Sequence, residues 1–369
     1  MSIPVQIIFA FRDRDVDRVK LSLTSLKSQT QNSFNVIFID YGSQDSYAHK
    51  VKEIVSRFTF ATYYYVGHPG LLWNKSKAIN YGLRKAQSDY IITADVDVLF
   101  TKNFLETALK LSNPKSFSLF KIGYLSQRIT KEQQKHLQLN GVQTTHIGDT
   151  FGIGLFPKST LEAVGGLDEF FHFYGSEDED LNYRVLLSGV TSNNCNELLL
   201  YHQWHERYPQ EKDRQLTVMP RLKNVLRINQ RHFLWHKDQK IVYPNPKTWG
   251  RCYRKDDAII LEDPKFKVHL DNISSHIEHF FGAAIYTYSG SVIQVVIREA
   301  PYFNSLKHQI KKAMGKQTQP FMTMKAINDL ILKEIVFRYR DHNYAYEVSE
   351  DLKQLKFTIN LDTDRNDAV

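Results

Sequence analysis

Two carboxylates one residue apart, Asp95 and Asp97, close the apolar run Tyr90-Ile91-Ile92-Thr93-Ala94. At the end of a strand such a pair can hold a hard divalent cation, which in turn bridges two phosphates. Oxygen ligands with one imidazole favour manganese or magnesium over zinc. His202 offers that imidazole, in Tyr201-His202-Gln203-Trp204-His205 just past the apolar Leu198-Leu199-Leu200. There it can close a metal site opened by Asp97 and leave the remaining positions to phosphate oxygens and water. His172, His232 and His236 read instead as ordinary satisfied histidines.

Four consecutive carboxylates, Glu177-Asp178-Glu179-Asp180, follow Tyr174-Gly175-Ser176. They would repel one another unless solvated, paired or set at a helix N-terminus. Leu181, Val185 and Leu186, with Gly189 as a stop, predict that helix, whose dipole favours anions in its first turn. The cluster suits either an ordinary acidic first turn or a general base that deprotonates an attacking hydroxyl. Arg12 and Arg14 lie where a first apolar run ends, and guanidinium forks suit phosphates. A solvated turn would carry the same arginines, Arg14 in particular.

The elements that must position these residues alternate. Val5 to Phe11 is short, apolar and rich in β-branched residues, the pattern of a buried parallel strand. Val16, Val19, Leu23 and Leu26 recur at helical spacing, with Asp15 as N-cap. Val36-Ile37-Phe38-Ile39 is a second strand, turning off through Asp40-Tyr41-Gly42-Ser43. A helix over the forties and fifties, a strand Ala61 to Val66, a helix Lys75 to Ala86 and the strand Tyr90 to Ala94 continue the alternation. Such βαβ units build a mostly parallel sheet with ligands beyond the carboxyl ends of its strands. Three polar strand ends (Arg12 to Arg14, Asp40 to Ser43, Asp95 to Asp97) therefore converge on one crevice suited to a nucleotide.

Ser126 to Thr150 is polar and poorly patterned, a loop or a helix-bearing excursion. Asn245-Pro246 to Asp257 is rich in turn residues and predicts a boundary between a domain at 1–245 and a smaller α+β domain at 255–369. In the latter, Phe266 to Leu270 and Val292 to Ile297 read as strands. Ile327, Leu330, Ile331 and Ile335 mark an amphipathic helix. Asp362 to Val369 reads as a frayed tail.

With 369 residues, 42% hydrophobic and 13% aromatic, the chain can bury a sizeable core in two domains. A net charge of +8 fits anionic ligands or an anionic surface, but no basic run or nucleic-acid signature accompanies it. Cys195 and Cys252 lack metal-ligand spacing and read as two buried thiols of a reducing compartment. The start, MSIPVQIIFAF, is a core strand rather than a signal peptide. No apolar run approaches the ~18 residues of a membrane span. A cytoplasmic protein is expected, with a peripheral place at the inner face of a membrane compatible with its charge.

Together these segments resemble a known group. Phe9-Ala10-Phe11-Arg12-Asp13-Arg14 is similar to the arginine-containing first-strand motif of β-1,4-galactosyltransferases. Ile39-Asp40-Tyr41-Gly42-Ser43 resembles the strand-end turn of family 2 glycosyltransferases. Asn74 to Gly82 resembles the helix that precedes the D-x-D strand in both. Gly165-Gly166-Leu167-Asp168 with Tyr174 to Asp178 looks like the acceptor-side motif of the galactosyltransferase C-terminal region. Tyr201-His202-Gln203 resembles the metal-histidine segment of bacterial chondroitin and hyaluronan polymerases. The ordered set of five covers roughly the first 240 residues, and the region after Asn245 matches nothing in it.

The resemblance implies a GT-A (nucleotide-diphospho-sugar transferase) fold, a UDP-sugar donor, manganese or magnesium, and inversion at the anomeric carbon. It puts uracil recognition on Asp40, diphosphate contacts on Arg12 and Arg14, and metal ligation on Asp97 and His202. Asp95 falls to the donor ribose or sugar, the catalytic base to Asp178, and a sugar contact to Glu177. Phe11, Lys77, Val96 and Tyr174 complete the implied donor site. Tyr174 stands where the family has tryptophan, and Ser176 where it has a second glycine, so the transferred sugar is left open between galactose, N-acetylgalactosamine and similar sugars.

The expected protein is an inverting, metal-dependent hexosyl- or N-acetylhexosaminyltransferase of bacterial-type surface polysaccharide synthesis, acting on a glycan or lipid-linked glycan. A non-catalytic nucleotide-sugar-binding or scaffold subunit is the alternative, and it would not need Glu177 and Asp178. A dinucleotide-dependent oxidoreductase lacks its glycine fingerprint after the first strand. A nucleotidyltransferase would share sheet and metal without needing the acidic helix start.

Overall fold

The computed structural model describes residues 4–206 and 210–362, which form two compact units. Among these residues, one unit comprises 4–67, 73–206 and 226–252, and the other comprises 68–72, 210–225 and 253–362. Of the expected tail, only Asp362 lies among the described residues.

The first unit opens with the expected alternation: β1 (Val5–Phe11), α1 (Val16–Lys27), β2 (Phe34–Tyr41), α2 (Asp45–Ser56), β3 (Ala61–Val66), α3 (Lys75–Lys85) and β4 (Tyr90–Asp95). Asp15 caps α1 by accepting from the Asp17 amide, and Asn74 caps α3 by accepting from that of Lys77. Further elements are β5 (Val98–Phe100), α4 (Phe104–Lys110), β6 (Ser116–Tyr124), α5 (Gln127–Lys135), β7 (His146–Pro157) and α6 (Lys158–Ala163). Then come α7 (Glu177–Leu187), β8 (Thr191–Ser192), β9 (Cys195–His202) and α8 (Val225–Gln239).

Strands run β3-β2-β1-β4-β7-β6-β9-β5 across the sheet, with β8 paired to β6. The first four are mutually parallel, as βαβ connections require, and β7 then enters antiparallel between β4 and β6. Phe9, Phe38, Phe100, Phe104 and Phe120 fill one face of this sheet in a chain of tilted and edge-on rings.

The stretch from Ser126 to Thr150 bears a helix, as one of its two readings had it, and departs from both readings only where a strand begins. Ser126 Oγ accepts from the Ile129 amide and starts α5, and His146 already opens β7. The first half of β7 is solvent-facing, so its residues carry no apolar alternation to betray the strand. Cys195 is buried and Cys252 partly so, both as free thiols.

In the second unit β10 (Phe266–Asp271), β11 (Val292–Arg298), β12 (Tyr344–Val348) and β13 (Gln354–Asn360) form a four-stranded sheet in the order β10-β11-β13-β12. Helices α9 (Ser274–Gly282), α10 (Leu306–Ala313) and α11 (Met324–Glu334) accompany it. The apolar face of α11, with Ile327 and Ile331, is fully buried, as its periodicity requires.

Candidate active site

Parallel register fixes what the strand ends share. Across β1, β2 and β3, Phe11 lies beside Asp40 and Asp40 beside Tyr65, while Ala10 lies beside Asp95 on β4. The carboxyl ends of the four parallel strands thus present their polar turns in one row, where an open α/β sheet takes its ligands.

Asp95 and Asp97 serve different neighbours. β5 pairs antiparallel with β9, setting Val98 opposite His202, and the Gln203 amide continues the ladder to the Asp97 carbonyl. Asp97 therefore meets both histidines of the segment: Oδ1 is 3.7 Å from His202 Nε2, and Oδ2 is 3.3 Å from His205 Nε2. One ligand atom from each of the three lies within 4.8 Å of the others. Burial would raise the Asp97 carboxyl, but hydrogen bonding to His205 and the charges of His202, His205 and Arg14 outweigh it and hold the group at about 2. The His205 imidazole is raised, mainly by that hydrogen bond. Asp97 Oδ1 is buried without a hydrogen-bond partner, a costly state for a carboxylate oxygen and one that a bound cation would relieve. A carboxylate and two imidazoles fit a divalent cation with positions left open.

Asp95 turns instead to Lys75 in the first turn of α3. Lys75 Nζ lies 3.2 Å from Asp95 Oδ1, 3.1 Å from Asp178 Oδ2 and 3.6 Å from Glu177 Oε1. One ammonium thus faces three carboxylates from β4 and α7. Its pKa is held far above the usual lysine value, because the three anions overcome the cost of burial. Asp178 is pushed up to about 7, chiefly by burial, with Glu177 and Asp95 adding to the rise and Lys75 opposing it. A carboxylate near neutrality at a cleft edge suits a general base.

The chain holds Asp178 there by two close approaches. α7 begins from a turn in which Phe173, Gly175 and Ser176 all have positive φ, at 65°, 98° and 71°. From β7, Gly152 presents bare backbone, and a Cβ at that position would collide with the Asp178 carboxylate.

Other expected site residues are placed as follows. Asp40 is fully buried; its Oδ1 accepts from the Ser43 amide at 3.1 Å and its Oδ2 from the Tyr63 hydroxyl at 2.7 Å. Burial raises its pKa, with the Ser43 and Tyr63 hydrogen bonds opposing. Arg12 lies against Asp13 at 3.7 Å, and Arg14 is exposed at the turn near Asp97. Tyr174 is exposed over half its surface beside the turn into α7.

Three residues are not brought to the cluster by their side chains. Phe11 and Val96 are core residues, with the Phe11 ring packed on Phe38, so only their backbone groups are free for a ligand. Lys77 is buried with its Nζ 3.6 Å from Glu169, a carboxylate that also accepts from Asn80 and the Gly250 amide. It points there because α3 rotates about 100° per residue, which sends Lys75 and Lys77 to different faces.

Lys75 and His205 join the site although no sequence motif assigns them to it. Lys75 was visible as the cation opening the helix before the D-x-D strand, but nothing local showed that α7 would reach it. His205 had the clearer signal, standing three residues after His202.

Residues 7–147 match the family model for glycosyl transferase family 2, and residues 134–217 match that described as the N-terminal domain of galactosyltransferase. No curated protein matched in a sequence search. Among solved structures, the chain is similar to a mannosyltransferase, PcManGT, of Pyrobaculum calidifontis in complex with GDP-Man and Mn2+. The identity is 15% and the TM-score 0.42, covering 58% of this chain and 60% of that one. It is also similar to TarS 1–349 of S. aureus, at 15% identity and TM-score 0.41, covering 55% of this chain and 60% of that one. Against longer TarS the coverage is 58% of this chain and 38% of that one, at 15% identity and TM-score 0.41. The chain therefore spans less than two thirds of the length of each of these proteins. By these matches, residues 7–147 are similar to family 2 glycosyl transferases and residues 134–217 to a galactosyltransferase segment, on a sheet whose first four strands are parallel.

Proposed function

We propose that the chain is an inverting, metal-dependent glycosyltransferase. It would move galactose, N-acetylgalactosamine or a similar sugar from a UDP-sugar to a glycan acceptor in bacterial-type surface polysaccharide synthesis. The observation that carries this reading is Asp178, held near neutrality beside Lys75 and Asp95, with the Asp97, His202 and His205 group beginning two residues further along the chain.

In this reading Asp178 takes the proton of the acceptor hydroxyl as that oxygen bonds to the anomeric carbon and the bond to the diphosphate oxygen breaks. Attack opposite the leaving group inverts the anomeric configuration. Asp97, His202 and His205 would hold manganese or magnesium, which when bound neutralises charge on the diphosphate. Lys75 keeps Asp178 ionisable among the neighbouring carboxylates, and Glu177 contacts a sugar. Arg12 and Arg14 meet phosphate oxygens. Asp40 recognises the base through its turn, its own oxygens being engaged by Ser43 and Tyr63.

No helix among the described residues is long and apolar enough to cross a membrane. A cytoplasmic enzyme resting at the inner face of an anionic membrane suits the +8 charge. Vesicle co-sedimentation without preference for anionic lipid would remove that part. The central test is a panel of UDP-sugars with manganese, read as UDP release with and without simple sugar acceptors. Metal-dependent release stimulated by an acceptor is expected. No release from any donor, with no metal-dependent UDP binding, would overturn the proposal.

A further inference from the structure

A second convergence of ligating side chains lies in the same unit. Helix α8 carries His232 and His236 one turn apart, so both imidazoles project from one face. Both meet the same oxygen of Asp168: His232 Nε2 is 2.7 Å from Oδ2 and His236 Nε2 is 3.6 Å from it. One ligand atom from each lies within 4.8 Å of the others, with Asp168 and His236 buried and His232 partly exposed.

Behind this group stands a support. His236 Nδ1 lies 2.6 Å from Asp180 Oδ1, and Asp180 Oδ2 accepts from Arg184 Nε at 2.6 Å. Arg184, wholly buried, also donates to the carbonyls of Val164 and Gly166. A carboxylate on Nδ1 puts the imidazole proton there and leaves the lone pair on Nε2, the arrangement that second-sphere carboxylates impose on metal-bound histidines. That lone pair then faces the Asp168 carboxylate oxygen at 3.6 Å. Two acceptors facing each other repel unless a cation or a second proton sits between them.

We propose that Asp168, His232 and His236 form a zinc-class metal site separate from the Asp97 group. Two imidazoles and one carboxylate, the same donors as in the Asp97 group, are a set that zinc or cobalt accepts, and the close tetrahedral spacing here favours these ions. Ligand atoms about 2.0 Å from a tetrahedral ion stand about 3.3 Å apart, so the His236 spacing already fits and His232 moves outward by roughly half an ångström. The exposed side of His232 leaves the fourth position to water. The ion would tie α8 to the segment before the left-handed turn, while Asp180 anchors the same network to α7. It would therefore brace the helix start bearing Glu177 and Asp178 rather than take part at the sugar. The inference stands independently of the proposed transfer reaction.

The test is cobalt titration of the full chain, read by visible absorption, with zinc as competitor. Up to two cobalt ions per chain are expected, since the Asp97 group offers the same donors, with the intense bands of a tetrahedral site displaced by zinc and retained in Asp97→Asn. His232→Asn should abolish the bands while circular dichroism stays native, the partly exposed His232 being the safer variant if His236→Ala fails to fold. Absence of the bands in the unmodified protein overturns the site, as does their loss in Asp97→Asn with retention in His232→Asn. Nitrogen NMR showing His236 doubly protonated in zinc-saturating buffer overturns it as well, since the second proton then occupies the metal's place.

Discussion

Lys75 Nζ lies 3.1 Å from Asp178 Oδ2, joining the start of α3 to the start of α7 by a cation that faces Asp95, Glu177 and Asp178 together. Three carboxylates face one ammonium, Asp95 from the solvent side and Glu177 and Asp178 from more buried positions, and the protonation of Asp178 answers to that balance.

Lys75→Met removes the cation that holds the Asp178 pKa down. The base then ionises only at higher pH, so the acidic limb of the rate profile, expected near pH 7, should move up by about one unit or more. At neutral pH kcat should fall at least tenfold, with Lys75→Arg restoring part of it. A pH–rate profile of kcat checks this, and an unmoved acidic limb would remove Lys75 from the control of Asp178.

Asp178→Asn should separate transfer from binding. An enzyme loses roughly 10²–10⁴-fold in kcat when a general base is neutralised, while UDP-sugar binding survives. The variant should also be more stable. The folded pKa of Asp178 lies above the ordinary 3.8, so the folded state holds more protons than the unfolded state between about 4 and 7, and stability drains as pH rises through that window. Asn mimics the protonated form and escapes that loss, by on the order of 1 kcal/mol or more at pH 7.5. Thermal melts of both proteins at pH 5 and pH 7.5 test this: the gap should be wide at the higher pH and narrow at the lower. Full transfer by the variant would remove Asp178 as the base, whereas donor binding with no transfer by the unmodified chain would favour a binding or scaffold subunit.

His202→Ala and His205→Ala should each weaken manganese binding tenfold or more, because each removes one of three convergent ligands around Asp97. Arg14→Ala removes charge without removing a ligand and should act on UDP affinity instead. Titration of manganese by EPR, with and without UDP, distinguishes the two effects. Unchanged manganese affinity in His205→Ala would return His205 to a simple hydrogen-bond partner of Asp97.

The βαβ frame was legible because buried strands announce themselves locally, as Ile7 to Phe11 within β1 and Val36 to Ile39 within β2 do by continuous apolar runs. Asp97 with His202 was legible through its residue types at strand ends. Lys75 with Asp178 was not, because the two lie 103 residues apart and meet only through side chains at the starts of α3 and α7, which no short-range pattern encodes. Lys77 misled for a related reason: motif position names a lysine, while helix rotation decides which way it points. The start of β7 was hidden because solvent-facing strand residues carry no apolar period.

Ser176 gives a final test in which stability and activity separate. Its φ of 71° is left-handed, a region that costs a residue with a Cβ roughly 1 kcal/mol relative to glycine. Its side chain makes no capping hydrogen bond to α7 that would repay this. Ser176→Gly should therefore stabilise the folded chain by a few tenths of a kcal/mol to about 1 kcal/mol, once the extra freedom of glycine in the unfolded chain is counted. Gly152→Ala acts on the same carboxylate from the other side, since the new methyl group must displace Asp178. That variant should lose at least tenfold in kcat, with native circular dichroism and unchanged manganese affinity. If Gly152→Ala keeps full kcat, Asp178 works from a position other than the one β7 and Lys75 now hold, and the base assignment falls with it.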